Sequence, residues 1–296
     1  MKVLITGHTG FIGSNMFQSL KKKRYVEPVG FARTTGQDIF DTNQLNKFVK
    51  DCDIVYHFAA YAKPGESITH PVRAIDINVK GCVRILESCR KYDVPLIYPS
   101  SCEIYGDSDK PLKEDNPLNP TNPYAASKVA ADRICYSYYK AYGLDVKIVR
   151  LFNPYGPNQQ LNKIIPVFYS QAVRDKPITV YGKGSDTRDY VYIDDIVRGL
   201  WIARKLSKGE YVNLATGRKT TNLEMAKLIL KATDGKSRIS FTPYPKEFGN
   251  IRNQVGSYEK AKKAIGWHPR IKLEEGVKKT ISWLKSVSGE KNESEQ

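Results

Sequence analysis

Two short segments of this 296-residue sequence hold side chains that can carry protons. The segment PSSCEIYGD places Ser101, Cys102 and Glu103 directly after an apolar run. The segment NPYAASK places Tyr124 and Lys128 four residues apart, so that they would share one face of a helix. A phenol is a poor base at neutral pH, but a nearby ammonium favours the phenolate. The pair could therefore remove a proton from a substrate hydroxyl as hydride leaves the carbon, with Ser101 beside the same oxygen.

The two residues that follow Ser101 differ in what they can do. Glu103 has a carboxylate that could serve as a second base near the substrate. Cys102 has a thiol that could be an acid in principle, but a cysteine at a strand end is more often a small buried side chain. We therefore expect Cys102 to pack, and we place Glu103 with Ser101, Tyr124 and Lys128 among the candidate catalytic residues.

The segment TGHTGFIG lies between the first predicted strand and the first predicted helix. It supplies Gly7, Gly10 and Gly13, which allow a tight turn and a close approach of backbone N–H groups to a pyrophosphate. Phe11 and Ile12 lie between the last two glycines, where the positive end of the helix adds to the site. The segment predicts a dinucleotide cofactor in contact with these residues.

The second predicted strand ends in VGFARTTG, where dinucleotide folds commonly place an acid that binds the ribose hydroxyls. Arg33 stands there instead, and an arginine can pair with a 2′-phosphate, which favours NADP without excluding NAD. Asp38 follows in DIFD and could reach the adenine. A later strand ends in HFAA, whose small alanines would let a cofactor lie close. These segments add four expected cofactor contacts: Ile39, Phe58, Ala59 and Ala60.

Composition narrows the class of protein. The net charge is +16, but no basic run is interleaved with aromatic residues, so we do not expect nucleic-acid binding. No window reaches the roughly 18 apolar residues that a membrane span needs. Five scattered cysteines without a C-x-x-C pair suggest a reduced cytoplasmic protein without structural metal.

Short apolar runs alternate with amphipathic stretches in the first half of the chain, which predicts a parallel sheet with helices on both faces. The predicted strands are Lys2–Thr6, Val26–Phe31, Ile54–Ala59, Leu96–Pro99 and Val146–Leu151. Helices are predicted to start near Gly13, Thr42, Ile75 and Tyr124, and to cover Asp194–Lys205, Thr221–Thr233 and Leu273–Ser286. The polar segment 287–296 is expected to be a disordered tail.

Together these segments resemble the extended short-chain dehydrogenase/reductase superfamily, in its NAD(P)-dependent nucleotide-sugar epimerase/dehydratase branch, which includes UDP-glucose 4-epimerases. The resemblance covers residues 1–285 and adds the segments INVKG, RLFNPYGP, RDYVYIDD and AIGWHPRIKLEEGVKKTISWL. It implies an α/β fold with a Rossmann-type doubly wound parallel sheet and a smaller C-terminal α/β substrate domain. The implied NAD(P)-binding domain is 1–153 with about 188–216, and the implied nucleotide-sugar domain is 154–187 with 217–286.

The resemblance also implies roles for further residues. It places Ser101, Tyr124 and Lys128 in the catalytic set. Its further cofactor contacts are Asn78, Ser100, Tyr124 and Lys128. Its contacts with a nucleoside-diphosphate sugar are Ser101, Asn153, Arg188 and Arg252. The arginines suit a pyrophosphate because a guanidinium pairs with phosphate through a fork of N–H groups. A homodimer through helices matching 75–92 and 124–142 is the implied assembly.

Three reactions share a first step, the oxidation of the sugar C4 to a ketone. An epimerase returns the hydride to the other face, and this is the reaction that we favour. A 4,6-dehydratase or a UDP-glucuronate decarboxylase would use Glu103 as a base and is the second interpretation. An NADP-dependent keto-sugar reductase, suggested by Arg33, is the third.

Overall fold

The computed structural model describes residues 1–245 and 251–288. Its strands are β1 (Lys2–Thr6), β2 (Glu27–Phe31), β3 (Ile54–His57), β4 (Leu96–Ser101), β5 (Val146–Leu151), β6 (Pro154–Tyr155), β7 (Ile178–Tyr181), β8 (Thr187–Arg188), β9 (Val191–Tyr192), β10 (Tyr211–Leu214), β11 (Thr220–Thr221) and β12 (Ile239–Thr242). Its α-helices are α1 (Phe11–Lys21), α2 (Thr42–Lys50), α3 (Pro64–Thr69), α4 (Pro71–Ile75), α5 (Gly81–Tyr92), α6 (Pro123–Tyr142), α7 (Ile164–Ala172), α8 (Ile193–Ala203), α9 (Asn222–Thr233), α10 (Glu259–Ile265) and α11 (Leu273–Ser288).

Six strands form the main sheet in the order β10-β5-β4-β3-β1-β2, and every pair is parallel. The chain turns to one side of β1 for β2 and to the other side for β3, so the carboxyl ends of β1 and β3 border the switch point where such sheets bind ligands. This architecture confirms the predicted Rossmann-type doubly wound sheet. The glycine loop, the HFAA segment and the Ser101 segment all follow strands at this edge.

The strands β1 and β5 have the predicted bounds, whereas β2 begins one residue later and β3 ends two residues earlier than predicted. Strand β4 continues two residues beyond Pro99, so Ser101 is its last residue. The helix expected from Ile75 is interrupted, because a π-helical turn over Asp76–Lys80 separates α4 from α5. Such turns often mark functional segments, and this one places Asn78 in the interior.

The second half of the chain adds three two-stranded sheets. The pairs β6–β9 and β7–β12 are parallel, and β8–β11 is antiparallel. Helices α7, α9 and α11 pack together beside them, and one buried apolar cluster runs from β1 into α9 and α11. Because this core is continuous, the division into two domains stays a prediction.

The C-terminal helix α11 ends at Ser288, two residues later than expected. It therefore includes the first two residues of the predicted tail 287–296, and the other eight lie outside the described residues. Within residues 1–245 and 251–288, no helix combines the length and the apolar character needed to cross a bilayer.

Candidate active site

The segment after β4 forms a shelf, residues 101–106, built on a 3₁₀-helical turn over Cys102–Tyr105. The Ser101 hydroxyl caps this turn by accepting the Glu103 N–H at 3.3 Å. The Cys102 thiol is buried and donates to Gln254 Oε1 at 3.3 Å. Burial raises the pKa of this thiol, so it is held as the neutral form. Cys102 packs, as expected, and its side chain is committed to Gln254.

The helix α6 begins at Pro123, a residue suited to a first helical position, and the Asn122 side chain accepts the Ala125 N–H at 2.8 Å. These features fix Tyr124 in the first turn, where its N–H donates to Ser67 Oγ at 3.0 Å. Burial raises the pKa of the Tyr124 phenol and the charge of Glu103 raises it further, whereas a hydrogen bond with Ser101 lowers it.

Lys128 lies one turn further along α6 and is only 5% exposed. Its ammonium donates to the Pro99 carbonyl at 2.6 Å and lies 4.2 Å from the centre of the Tyr98 ring. Burial lowers the pKa of Lys128 to about 8. Among the described residues, no hydrogen bond joins this ammonium to Tyr124. The shared helix face therefore does not by itself produce a hydrogen bond between the two side chains.

Glu103 lies on the same side of the shelf as Tyr124. Its carboxylate accepts a hydrogen bond from Asn122 Nδ2 at 3.0 Å. Burial raises the pKa of Glu103, and the Asn122 hydrogen bond and the charges of Arg188 and Lys163 oppose this effect. The carboxylate is thus close enough to Tyr124, Arg188 and Lys163 for their charges to interact. Lys163, which sequence reasoning missed, immediately precedes α7; its position soon after the RLFNPYGP segment was the available signal.

The glycine loop is as tight as the sequence suggests. Gly7 has a φ of +70°, and a Cβ there would lie 2.7 Å from the backbone nitrogen of Ala59. A Cβ on Gly13 would lie 2.2 Å from the Gly7 carbonyl oxygen, and Gly10 donates to that carbonyl at 2.9 Å. No described side chain caps the first turn of α1, which Phe11 opens, so its N–H groups are suited to bind phosphate.

The segment that follows β2 contacts the glycine loop. Arg33 is exposed and opens a short 3₁₀ turn, and the hydroxyls of Thr34 and Thr9 lie 2.7 Å apart. The Asp38 carboxylate accepts the Phe40 N–H at 2.9 Å. Ile39 is buried in the apolar cluster around β4 and α5, so its side chain is part of the core.

At the end of β3, Thr6 and His57 form a buried pair. The Thr6 hydroxyl accepts the Ala59 N–H at 3.2 Å and lies 2.7 Å from His57 Nδ1, so it can donate its proton to the ring. Burial, together with the charge of Lys128, lowers the pKa of His57 to about 3, which keeps the imidazole neutral. Beyond this pair the HFAA residues become more exposed, from Phe58 and Ala59 to Ala60.

Asn78 and Ser100 are both buried but differ in their partners. Asn78 accepts the Tyr61 N–H at 2.7 Å and donates to Ser127 Oγ at 2.8 Å, so its amide ties the segment after β3 to α6. The Ser100 hydroxyl has no hydrogen-bond partner among the described residues. A buried polar group without a partner fits a site completed by a ligand.

Arg188, at the end of β8, faces the shelf from the second half of the chain. Its guanidinium donates to three backbone carbonyls at 2.9 Å, those of Thr187, Arg252 and Ile251. These acceptors are neutral, so they orient the guanidinium without cancelling its charge. Its field reaches the shelf, where it lowers the pKa of Glu103.

The other two expected substrate contacts lie nearby. Arg252 stacks 3.8 Å from the centre of the Tyr244 ring and lies 3.5 Å from a carboxylate oxygen of Asp186. Asn153 follows β5 and donates to the Asp189 carbonyl at 3.3 Å. The carboxyl ends of β4 and β5 and the segment around β8 thus bring Ser101, Glu103, Asn153 and Arg188 to one edge of the molecule.

Known proteins resemble this chain over nearly its whole length. A putative UDP-glucose 4-epimerase of Methanocaldococcus jannaschii is 32% identical, covering 96% of this chain and 98% of that protein. UDP-glucuronic acid decarboxylase 1 of Danio rerio is 30% identical, covering 96% and 72%. The crystal structure of UDP-glucuronic acid 4-epimerase from Bacillus cereus, in complex with UDP-glucuronic acid and NAD, has a TM-score of 0.90 at 27% identity, covering 97% and 100%.

The family model described as "NAD dependent epimerase/dehydratase family" matches residues 3–215, which include the glycine loop, the shelf and Tyr124 with Lys128. One continuous match therefore spans both the expected cofactor loop and the candidate catalytic residues. This chain therefore belongs to the NAD dependent epimerase/dehydratase family, within the extended short-chain dehydrogenase/reductase superfamily.

Proposed function

We propose that this chain is a nucleotide-sugar 4-epimerase that works through a transient 4-keto sugar. The observation that carries the proposal is the state of Cys102. In a dehydratase-like shelf this position would supply an acid for the loss of water, but here the thiol is buried and bonded to Gln254. Epimerisation needs no such acid, since the proton transfers at C4 would use only Tyr124 and Ser101 while a bound nicotinamide cofactor would take up and return the hydride.

The chain's own residues would handle the proton and hold the substrate. Tyr124 would take the C4 hydroxyl proton and later return it, while Ser101 would hold the sugar oxygen in line with the phenol. A bound nicotinamide cofactor would accept a hydride from C4 and give it back. Arg188 and Arg252 would bind the diphosphate, and Asn153 would contact the sugar or a phosphate. The keto sugar would rotate between the two half-reactions.

The site fits a nicotinamide dinucleotide because the backbone at Gly7 and Gly13 leaves no room for a side chain and the Ser100 hydroxyl has no hydrogen-bond partner within the described part of the chain. The similar Bacillus cereus structure holds NAD. Arg33, an exposed cation where an acid would bind ribose, supports NADP. We expect Arg33→Asp to lower NADP affinity and to raise NAD affinity, as measured by calorimetry with each cofactor. Unchanged affinities would remove Arg33 from the cofactor site.

The second candidate function is a lyase, either a dehydratase or a decarboxylase. The observation that favours it is the position of Glu103 beside Tyr124, Arg188 and Lys163. A carboxylate in that position could remove a proton from the keto sugar. The raised pKa of Glu103 would make it a stronger base than an exposed carboxylate.

A panel of UDP-, GDP- and dTDP-sugars with UDP-glucuronate, read by mass and by NMR at C4, separates the two functions. We expect a product of unchanged mass with inverted C4. Tyr124→Phe should reduce turnover about 100-fold or more, within the range of general acid–base catalysis. The matched control is Tyr142→Phe, which alters an exposed tyrosine at the other end of α6.

The outcome with Glu103→Gln decides between the candidates. An epimerase should keep most of its turnover in this variant, whereas a lyase should lose it together with the water or carbon dioxide product. Loss of water or of carbon dioxide from the substrate in the wild-type protein would overturn the epimerase proposal. Wild-type turnover by Tyr124→Phe would overturn the mechanism common to both.

A further inference from the structure

Arg150, on β5, is 1% exposed and forms a fork with Asp132 of α6. Its Nε lies 3.1 Å from Asp132 Oδ2, and its Nη2 lies 3.2 Å from Asp132 Oδ1. Asp132 is fully buried and follows Lys128 by one helical turn. The fork therefore joins α6 to β5 one helical turn after Lys128.

The same guanidinium also holds the shelf. Its Nη1 donates to the Tyr105 hydroxyl at 2.8 Å and to the Glu114 carbonyl at 2.9 Å. Tyr105 is the last residue of the 3₁₀ turn that carries Glu103, and its hydroxyl donates to Asn213 Oδ1 at 2.8 Å. One buried side chain thus contacts both catalytic elements, the shelf and α6.

We propose that Arg150 is a positioning residue that fixes α6 relative to the shelf and balances the charge of Asp132 behind Lys128. The inference rests on the proposed function, because it assigns a role within the same site. A buried ion pair costs desolvation energy and is often replaceable by apolar residues, so its contribution to stability alone is a weak reason for it. The planar fork of an arginine gives the geometry that a lysine or an apolar side chain would lack.

Loss of the Arg150 or Asp132 charge should shift the pKa of Lys128 in a predictable direction. Lys128 is faced by His57 from β3, Tyr98 from β4, Cys82 from α5, and Cys135 and Asp132 from its own helix. Burial lowers the pKa of Lys128, and Cys82, Cys135 and Asp132 oppose this effect. Loss of Arg150 would leave Asp132 with only the half-exposed Arg133 and would raise the pKa of Lys128. Loss of the Asp132 charge would lower it.

The test uses Arg150→Met, Asp132→Asn and the double variant. The pKa of Lys128 is read by NMR in protein labelled with ε-¹³C-lysine, the signal being assigned with Lys128→Arg. We expect an upward shift of about half a unit or more in Arg150→Met, a downward shift in Asp132→Asn, and a value near wild type in the double variant. Equal pKa values of Lys128 in the wild type and the two single variants would overturn the charge role.

Arg150→Lys tests positioning, because it keeps the charge and loses the fork. We expect kcat to fall about tenfold or more with KM little changed. Lys147→Met is the matched control, since Lys147 is a buried cation on the same strand whose partner is Asp145. An Arg150→Lys loss no larger than the control's would overturn the positioning role. If wild-type protein turns over no nucleotide sugar, the proposed function fails, while the NMR result still decides the charge role.

Discussion

The protonation states of this site are set mainly by burial. Desolvation raises the pKa of Tyr124 and Glu103 and lowers that of Lys128. All three shifts favour neutral side chains, so the charge that a bound substrate or cofactor brings has a large effect on which of them is ionised. The neutral His57 beside Lys128 adds no competing positive charge.

The desolvation of Lys128 should make the free energy of unfolding depend on pH. Its pKa is lowered to about 8 from 10.5, so between these values the unfolded chain binds more protons than the folded one. Its contribution to the free energy of unfolding therefore rises with pH across that window. Relative to Lys128→Met, we expect the wild type to gain about 3 kcal/mol between pH 8 and pH 10.5. Urea unfolding at the two pH values measures the gain.

The comparison cancels the titrating groups that do not interact with Lys128, because wild type and variant share them. The loss of the hydrogen bond to the Pro99 carbonyl is an offset that does not depend on pH. A difference between the two proteins that stays constant from pH 8 to pH 10.5 would show that the Lys128 amine is not held in a desolvated environment.

Among the elements, the turn between β1 and α1 leaves little room for side chains at its glycines. Gly7 and Gly36 both have positive φ angles, +70° and +82°, but of the two only Gly7 is crowded. A methyl group on either costs about 1–2 kcal/mol of backbone strain. On Gly7 it would also meet the backbone of Phe58 and Ala59 at 2.7 Å, and overpacking of this kind costs a further ~1–3 kcal/mol.

We therefore expect Gly7→Ala to weaken dinucleotide binding and to destabilise the fold more than Gly36→Ala does. Chemical denaturation gives the stability of both variants, and calorimetry gives their affinity for the cofactor. Both variants carry the same backbone strain. The difference between their free energies of unfolding therefore reports the contact of residue 7 with the segment after β3. Equal losses would mean that the HFAA backbone moves to accommodate the methyl group.

The sequence predicts elements well where a short-range pattern determines them. The apolar runs locate β1 and β5, and proline at the first helical position marks the start of α6. Strand β10 escaped prediction because its four residues, YVNL, include an asparagine; Asn213 is buried only because Leu112, Tyr105 and Glu114 satisfy its polar groups. Those partners lie about a hundred residues away along the chain.

The same limit applies to the site. The Y-x-x-x-K spacing gave the face of α6 but not the partner of Lys128, which is a carbonyl on β4. Asn78 was expected at the cofactor, and its amide is bound to Tyr61 and Ser127. Arg150 could have been noticed as a charge inside the apolar run VKIVRL. The two elements that it joins, the shelf and α6, are identified only by tertiary contacts.

At the scale of the whole molecule, hydrogen bonds connect the RDYVYIDD segment to the AIGWHPRI segment, about 70 residues further along the chain. We call this set of contacts the joint. Asp195 accepts the N–H groups of Arg270 and Ile271, both at 2.8 Å, and pairs with Arg198 at 2.6 Å. Its own carbonyl accepts the indole N–H of the fully buried Trp267 at 3.0 Å. This carboxylate therefore anchors the segment that leads into α11 on the first turn of α8.

Asp195→Ala should detach that joint. It leaves two backbone N–H groups without an acceptor and removes the ion-pair partner of Arg198, whose guanidinium keeps the His268 carbonyl. We expect a loss of about 2–4 kcal/mol in the free energy of unfolding. Hydrogen exchange should accelerate in α11 while β1 and β3 keep their protection, because the loss is local before it is global. Asp194→Ala is the control, since its neighbouring carboxylate is exposed and should change stability little. Equal exchange in α11 for the two variants would show that Trp267 packing, and not the Asp195 carboxylate, holds the C-terminal helix in place.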